Sequence, residues 1–468
     1  MVDYANWLEG AIADSDAQLP ASFPNETAAD QLMATGVRRK MVTIRRITSL
    51  TSVRKSRFQR AIIDGWSVLV PRRQNFKPGQ LVVFFEEDSF ITHTDRFSNV
   101  EIAKEIGNPT RYNNQDGYRV VAWTKTTDSQ GRIRSEGYTC HIENVPAVQA
   151  AYAADRIEAQ ANGMDGQQLF DHLRSIDYSD VLGVVKWDES QQNSPNPKAL
   201  SMIKGTDVTR HQNCANIFDN KYLRAEYQYQ ETVKKDGASM TVYFVRKDSH
   251  LFDLLPNLDE TDVNYRRNAV LADGRFGVCS RNYDICKRTF ENNTKPYFST
   301  AIRLRLPQIL SRHGENIGVQ GELVGPNQAG NPYGYAKGSA HDFFVFGVYD
   351  LETGVYWNPR RVYQFTQQNG LAHVPIRGYV NIPNVAEDHG ALQARANALG
   401  EEGLVFRRMA DPSRSFKVLN EHWEGGRLWR ERGAANECAP GAVAPATADD
   451  EDEAGAAGEV EETRAPAG

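Results

Sequence analysis

Between Glu231 and Tyr243 the chain reads ETVKKDGASMTVY, which sets Lys234 two residues ahead of Asp236-Gly237 with strand-like alternation on both sides. A lysine at a strand end, beside a glycine that lets a phosphate come close, is suited to attack the α-phosphate of a nucleotide and hold it as a phosphoramidate. Attack needs a neutral amine, and an ordinary lysine with a pKa of about 10.4 is almost wholly charged at neutral pH. A second cation, a bound metal ion and partial desolvation would each lower that value. The plainer reading of the same residues is a β-hairpin whose polar turn carries two solvated lysines, Lys234 and Lys235.

Three further segments follow in an order that suits such chemistry. IGVQGELVGP holds Glu322 near a strand end, DFFVFGVYD presents Phe344 and Phe346 on one face of a strand-like run, and EEGLVFRR puts Glu402-Gly403 ahead of an apolar strand. SFKVLN then supplies Lys417. Lys417 and a metal ion would neutralise charge developing on an α-phosphate. Glutamates suit magnesium, which takes oxygen ligands and keeps several waters. Each residue also has a bland reading, as a solvated charge or a core aromatic. The five cysteines (Cys140, Cys214, Cys279, Cys286, Cys438) form no C-x-x-C and do not suggest zinc.

This ordered set resembles the motifs of the covalent nucleotidyltransferase superfamily, the polynucleotide ligases and mRNA capping enzymes. Within it the chain is most similar to ATP-dependent RNA ligases that seal nicks and carry an N-terminal OB-fold module, over most of residues 38–420. The resemblance implies Lys234 as the nucleophile that becomes lysyl-AMP, with Asp236 and Gly237 completing its motif. It implies Glu322 as a nucleotide-sugar contact, Phe346 (or Phe344) as the purine stack, and Lys417 as an α-phosphate contact. The metal is assigned to Glu402 and Glu322. RFGVCSRNYD makes Arg281 a nucleic-acid or sugar contact, and TDVTRHQN makes Arg210, Gln212 and Asn213 candidates for closing over the adenine. One departure stands out. Nick-sealing relatives often show K-x-K in the last motif, whereas Ser415 occupies the first position here, with Arg414 or Lys235 as substitutes.

These residues need elements to hold them. At 468 residues the chain should form two or three domains, and 40% hydrophobic with 24% charged residues is ordinary for a globular protein. No apolar run approaches the ~18 residues of a membrane span, and no signal pattern opens the chain. The net charge of −6 is misleading, because residues 449–468 hold eight acids and one arginine, leaving +1 for the rest. Val37 to Asn75 holds eleven Lys/Arg against one acid, Asp64, and this stretch accompanies the strand-like runs MVTIRRITSL, WSVLVPRR and GQLVVFFEED. Short strands punctuated by glycine and proline fit an OB-like barrel. So concentrated a positive charge attracts polyanions, and Phe58, Trp66 and Phe76 are placed to stack on bases.

The expected organisation is an extension (1–37), an OB-like module (38–188) with a helical insertion divided at Gly163 and Gly166, a linker (189–196), an α+β nucleotidyltransferase domain with antiparallel sheets (197–432), and a disordered acidic tail (433–468). Only 51 residues follow Lys417, too few for a C-terminal OB fold, which favours RNA ligase over DNA ligase or capping enzyme. The expected function is ATP-dependent sealing of RNA 3′-OH and 5′-phosphate ends, through lysyl-AMP and an adenylylated 5′ end, with Mg2+ or Mn2+. Its expected partner is nicked duplex RNA or an RNA/DNA hybrid, with no membrane, and the protein acting as a monomer. Five scattered cysteines point to an intracellular reducing compartment, cytoplasm or nucleus alike. The alternatives are a capping-type guanylyltransferase, told apart by GTP, and a catalytically inactive RNA-binding protein of the same fold.

Overall fold

The computed structural model describes residues 39–423 except 93–108, 113, 128–130, 188–196, 215, 259–262 and 287–294. The extension, the linker and the acidic tail lie outside the described residues. The N-terminal module is built from β1 (Val42–Ser52), β2 (Phe58–Ile63), β3 (Trp66–Pro71), β4 (Leu81–Phe85), β5 (Ser89–Thr92), β6 (Pro109–Tyr112), β7 (Gln115–Arg119), β8 (Trp123–Thr127), β9 (Gly131–Ser135) and β10 (Tyr138–His141). Its main sheet runs β10-β4-β1-β2-β3, all antiparallel. A bulge between Ile47 and Ser49 bends β1, which pairs with β4 on one side and β2 on the other. Bulges of this kind curl a sheet. The continuous apolar run of β4 has a physical reason: Val83 and Phe85 enter one core with Val42 and Ile44, while Val82 and Phe84 enter another with Trp66 and Val68.

The alanine-rich segment after β10 forms α1 (Pro146–Ala161) and α2 (Gly166–Arg174), divided at the glycines as the sequence suggests. A short helix, α3 (Ser179–Leu182), leads to β11 (Val185–Lys186), which returns to pair with β5. One expectation fails here. Trp66 is fully buried and Phe76 is 5% exposed, both in the module core, while Phe58 packs edge-on against Trp123. These rings stabilise the barrel and are not arranged as a base-stacking surface. The basic residues also divide. Arg45 is buried and Arg39 pairs with Glu86, whereas Arg54, Lys55, Arg57 and Arg72 are exposed.

The second domain is two five-stranded sheets. The first runs β12 (Thr209–Arg210), β21 (Phe416–Leu419), β20 (Gly403–Arg408), β13 (Tyr229–Lys234), β19 (Ile376–Val380). The second runs β15 (Gly274–Cys279), β14 (Ala238–Arg246), β16 (Ile317–Val324), β17 (Asp342–Asp350), β18 (Ala372–His373). Helices α4 (Val263–Ala269), α5 (Lys295–Arg303), α6 (Leu306–His313) and α7 (Pro359–Gln368) belong to the second sheet, whose core joins Phe298, Leu310 and Phe365 to Val242, Phe244 and Val319. Helix α8 (His389–Asn397) packs Leu392 and Ala396 against Leu404, Phe406 and Val418 of the first. The chain passes from β13 in one sheet to β14 in the other through residues 235–237, so Lys234 ends a strand where the sheets meet.

The module and domain are joined by buried charge. Arg210 donates to Glu136 at 2.9 Å and Glu87 at 3.0 Å, and Arg45 donates to Asn213 Oδ1 at 2.6 Å. The Asp64-Gly65 tip of the β2–β3 hairpin is positive in φ at both residues, and a Cβ on Gly65 would lie 3.0 Å from His389. A glycine there allows the tip to touch the second domain.

Candidate functional site

Register brings the motif residues together. Lys234 lies opposite Gly403 on β20, and Val405, two residues on, lies opposite Lys417 on β21. Ser239, just past the turn, lies opposite Glu322 on β16, which faces Phe344 on β17. A bulge at Gln320/Gly321 leaves Phe346 between the paired positions Val345 and Gly347. Two glycines are required by close backbone approach. A Cβ on Gly237 would sit 2.4 Å from the Leu323 carbonyl, and one on Gly403, at φ +152°, would sit 2.1 Å from the Val418 carbonyl.

Lys234 Nζ donates to Glu402 Oε2 at 2.5 Å, with 22% of its side chain exposed. Burial lowers its pKa, but Glu402 and then Glu322 outweigh burial and raise it. This reverses the sequence expectation of a lowered value, because carboxylates, not cations, are its nearest charges. Lys417 shows what burial among cations does. Desolvation, then Arg210 and Lys234, bring it down to about 7. Glu322 is pushed up to about 7, first by burial, with Glu402 and Asp236 adding repulsion that Lys234 only partly offsets. Asp236 is also raised, by burial and then by Glu402; its Oδ2 accepts from Trp423 Nε1 at 2.7 Å, and its amide donates to Tyr333 Oη at 2.8 Å.

Among the described residues no three His, Cys, Asp or Glu side chains stand close enough to hold a metal by themselves. The residues present nevertheless fit an oxygen-preferring divalent ion that keeps most of its waters. Glu402, Glu322 and Asp236 repel one another, and the Lys234 ammonium is the cation that now relieves them. Glu402 and Glu322 would hold the ion, which would supply positive charge to a phosphate. They have no need of a third protein ligand.

A cavity of about 750 Å³ opens between domain and module, lined by Phe346, Gln320, Tyr356, Arg407 and Lys417 on one side and by Lys40, Arg45 and Arg174 on the other. Phe346 is the ring that lines it; Phe344 instead lies near Lys235. Arg407 was not singled out from sequence. It is buried, brought down to about 10 by that burial, donates to Thr232 Oγ1 at 2.8 Å, and lies 4.8 Å from the centroid of Phe346. Its signal was alternation: Gly403, Val405 and Arg407 share a strand face.

The remaining candidates are placed differently. Arg210 and Asn213 line the cavity, yet their polar ends are taken by the module: Arg210 by Glu136 and Glu87, Asn213 by Arg45 and Glu86. Gln212 is buried beside Gly65, with its backbone carbonyl accepting from Arg45. Arg281 pairs with Asp207. Ser415 turns its hydroxyl onto the Pro412 carbonyl at 2.5 Å. Neither proposed substitute is free, since Arg414 is held by Asp411 at 3.1 Å and Lys235 by Glu401 at 2.8 Å.

Comparison with known proteins bears on the two folded parts. The RNA ligase family model matches residues 227–419, and an OB-fold domain model matches residues 41–133. No curated protein matches. Among solved structures, an apo form of Naegleria gruberi RNA ligase is 25% identical with a TM-score of 0.56, covering 84% of this chain and 99% of that one. The same Naegleria ligase with AMP and Mn is 24% identical (TM-score 0.56; 84% and 99% covered), and with PPi 24% identical (TM-score 0.55; 85% and 99% covered). The motif lysine and its carboxylates thus fall within an RNA ligase domain, residues 227–419, that follows an OB-fold domain at residues 41–133.

Proposed function

We propose that the protein is ATP-dependent and joins RNA 3′-OH and 5′-phosphate ends at nicks in duplexes, with Lys234 as the adenylate carrier. The observation that carries this is Lys234 at the junction of the sheets, against Glu402 and within the electrostatic field of Lys417. Lys234 Nζ attacks the α-phosphorus of ATP, the bond to the β-phosphate oxygen breaks, and pyrophosphate leaves. An RNA 5′-phosphate oxygen then attacks the same phosphorus, and the P–N bond breaks with its electron pair returning to Nζ, which takes a proton. A 3′-hydroxyl finally displaces AMP. Glu402 and Glu322 would hold a divalent ion that would supply positive charge to the phosphates, while this chain's Lys417 holds the α-phosphate and Phe346 stacks the purine. Support for the nucleotide comes from the Naegleria ligase, whose structures include AMP or ATP with Mn.

Nick sealing is favoured by the OB module, whose exposed Arg54, Lys55, Arg57 and Arg72 offer charge to a duplex backbone. Cys140, Cys214, Cys279 and Cys286 are buried, and no disulfide joins them among the described residues, which suits an intracellular reducing compartment. No helix among the described residues is long and apolar enough to cross a membrane. The test is incubation with α-labelled ATP and, separately, α-labelled GTP, beside Lys234→Ala. Label from ATP that survives denaturation and is absent from the variant is expected. Label from GTP alone would make the protein a guanylyltransferase, and no label from either would make it a binding protein.

A further inference from the structure

One cluster at the cavity mouth is not used by the chemistry of Lys234. Asp207, just ahead of β12, takes the Lys186 ammonium at 2.6 Å on one carboxylate oxygen and the Arg281 guanidinium on the other. Lys186 comes from the other module, where β11 pairs with β5. Burial alone would raise the Asp207 pKa, but Arg281 and Lys186, with Lys417 contributing, hold it well below the ordinary carboxylate range. Two cations therefore grip one carboxylate, with Lys417 in its field. Lys186, Asp207 and Lys417 line the same cavity as Phe346.

We propose that this cluster is the seat of the RNA 5′-phosphate, with Lys186 of the OB module and Arg281 of the ligase domain as its ligands and Asp207 holding its place until RNA arrives. The assignment rests on the ligase reading above. Carboxylate and phosphate present similar oxygen pairs to a guanidinium fork, so an anion that organises one set of cations organises them for the other. Position favours the RNA end over the nucleotide's own tail. The side chains of Lys186, Asp207 and Arg281 are 31%, 49% and 52% exposed, open to a large substrate, whereas Lys417 is deeper and feels both Asp207 and Lys234. A phosphate bound there meets the α-phosphorus from the side of Lys417 as the bond to Lys234 breaks. On this assignment sealing requires the module, because one of the two ligands belongs to it.

The experiment uses the full chain in two arms. The first measures binding, without ATP, to nicked duplex RNA bearing either a 5′-phosphate or a 5′-hydroxyl. The second measures single-turnover AMP transfer from preloaded protein to the 5′-phosphate nick, beside ATP-dependent labelling of Lys234. Wild type should prefer the 5′-phosphate by about tenfold; Lys186→Ala and Arg281→Ala should erase that preference and slow transfer by about tenfold or more, with labelling affected much less. Lys186→Arg should retain both, which separates charge from folding. Survival of the preference in both alanine variants, or its absence in wild type, overturns the proposal. Equal loss of Lys234 labelling and AMP transfer also overturns it, by assigning the cluster to the nucleotide's phosphates. Failure of wild type to label Lys234 at all would instead refute the ligase reading, because the binding arm contains no ATP.

Discussion

The Lys234 ammonium sits 2.5 Å from Glu402 with Glu322 in the same field, and their charges raise its pKa against the burial that would lower it. Its amine becomes free when that negative charge is neutralised, which a divalent ion on the carboxylates would do. In metal-free protein at pH 8, Glu402→Gln should therefore raise the rate at which an amine-acylating reagent modifies Lys234, read by peptide mass, by about threefold or more. An unchanged or lower rate would mean that Glu402 does not set the lysine's charge. Glu322 carries a stability consequence. With its pKa pushed up to about 7, the folded chain keeps a proton that the unfolded chain has released at lower pH. Stability thus falls as pH climbs from the ordinary carboxylate range through 7, and the penalty is greatest above it. Glu322→Gln should abolish lysine adenylylation yet gain about 1–2 kcal/mol at pH 8 and almost nothing at pH 4, by denaturant unfolding. Lys234, Glu322 and Glu402 were legible because each is a polar residue at or near a strand end with a glycine within three positions. Arg407 was not, since an arginine pair closing an apolar strand looks like a solvated end until the facing sheet covers it.

At the scale of elements, neighbouring strands approach closely where glycines lie. Gly403→Ala must place a Cβ against the Val418 carbonyl at a φ that side chains rarely adopt, and should cost about 2–4 kcal/mol in thermal unfolding. A loss below half a kcal/mol would show that β20 and β21 can separate without penalty. Trp423 acts differently, through its hydrogen bond to Asp236. Trp423→Phe should slow adenylylation several-fold while the melting temperature stays near wild type, because Trp423 is not part of the domain's cores. The strands were readable from alternation and apolar runs, down to the helical insertion broken at Gly163 and Gly166. Phe58, Trp66 and Phe76 misled because composition cannot say which face of a curled sheet is inside. Trp423 and Tyr333 gave no local signal, as their partners at the lysine turn lie 187 and 97 residues away.

For the whole molecule, module and domain are locked by Arg210, Glu136 and Glu87, with Arg45, Asn213 and Glu86 beside them. Sequence placed Arg210, Gln212 and Asn213 over the nucleotide; the fold uses the same segment as the joint, because β12 lies beside Lys417 and also reaches the module. That dual position follows from long-range pairing, which no local pattern encodes. Breaking a buried pair on one side leaves uncompensated charge at a cost of about 3–5 kcal/mol, so Arg210→Ala should split a shared unfolding transition into two by calorimetry. A single transition at the wild-type temperature would mean the joint contributes little. The central claim, however, rests on one atom. Protein incubated with ATP and Mn2+, digested under conditions that preserve phosphoramidates and mapped by mass spectrometry, should carry one adenylate, on Lys234. An adenylate on Lys235, on Lys417 or on no residue would contradict the account.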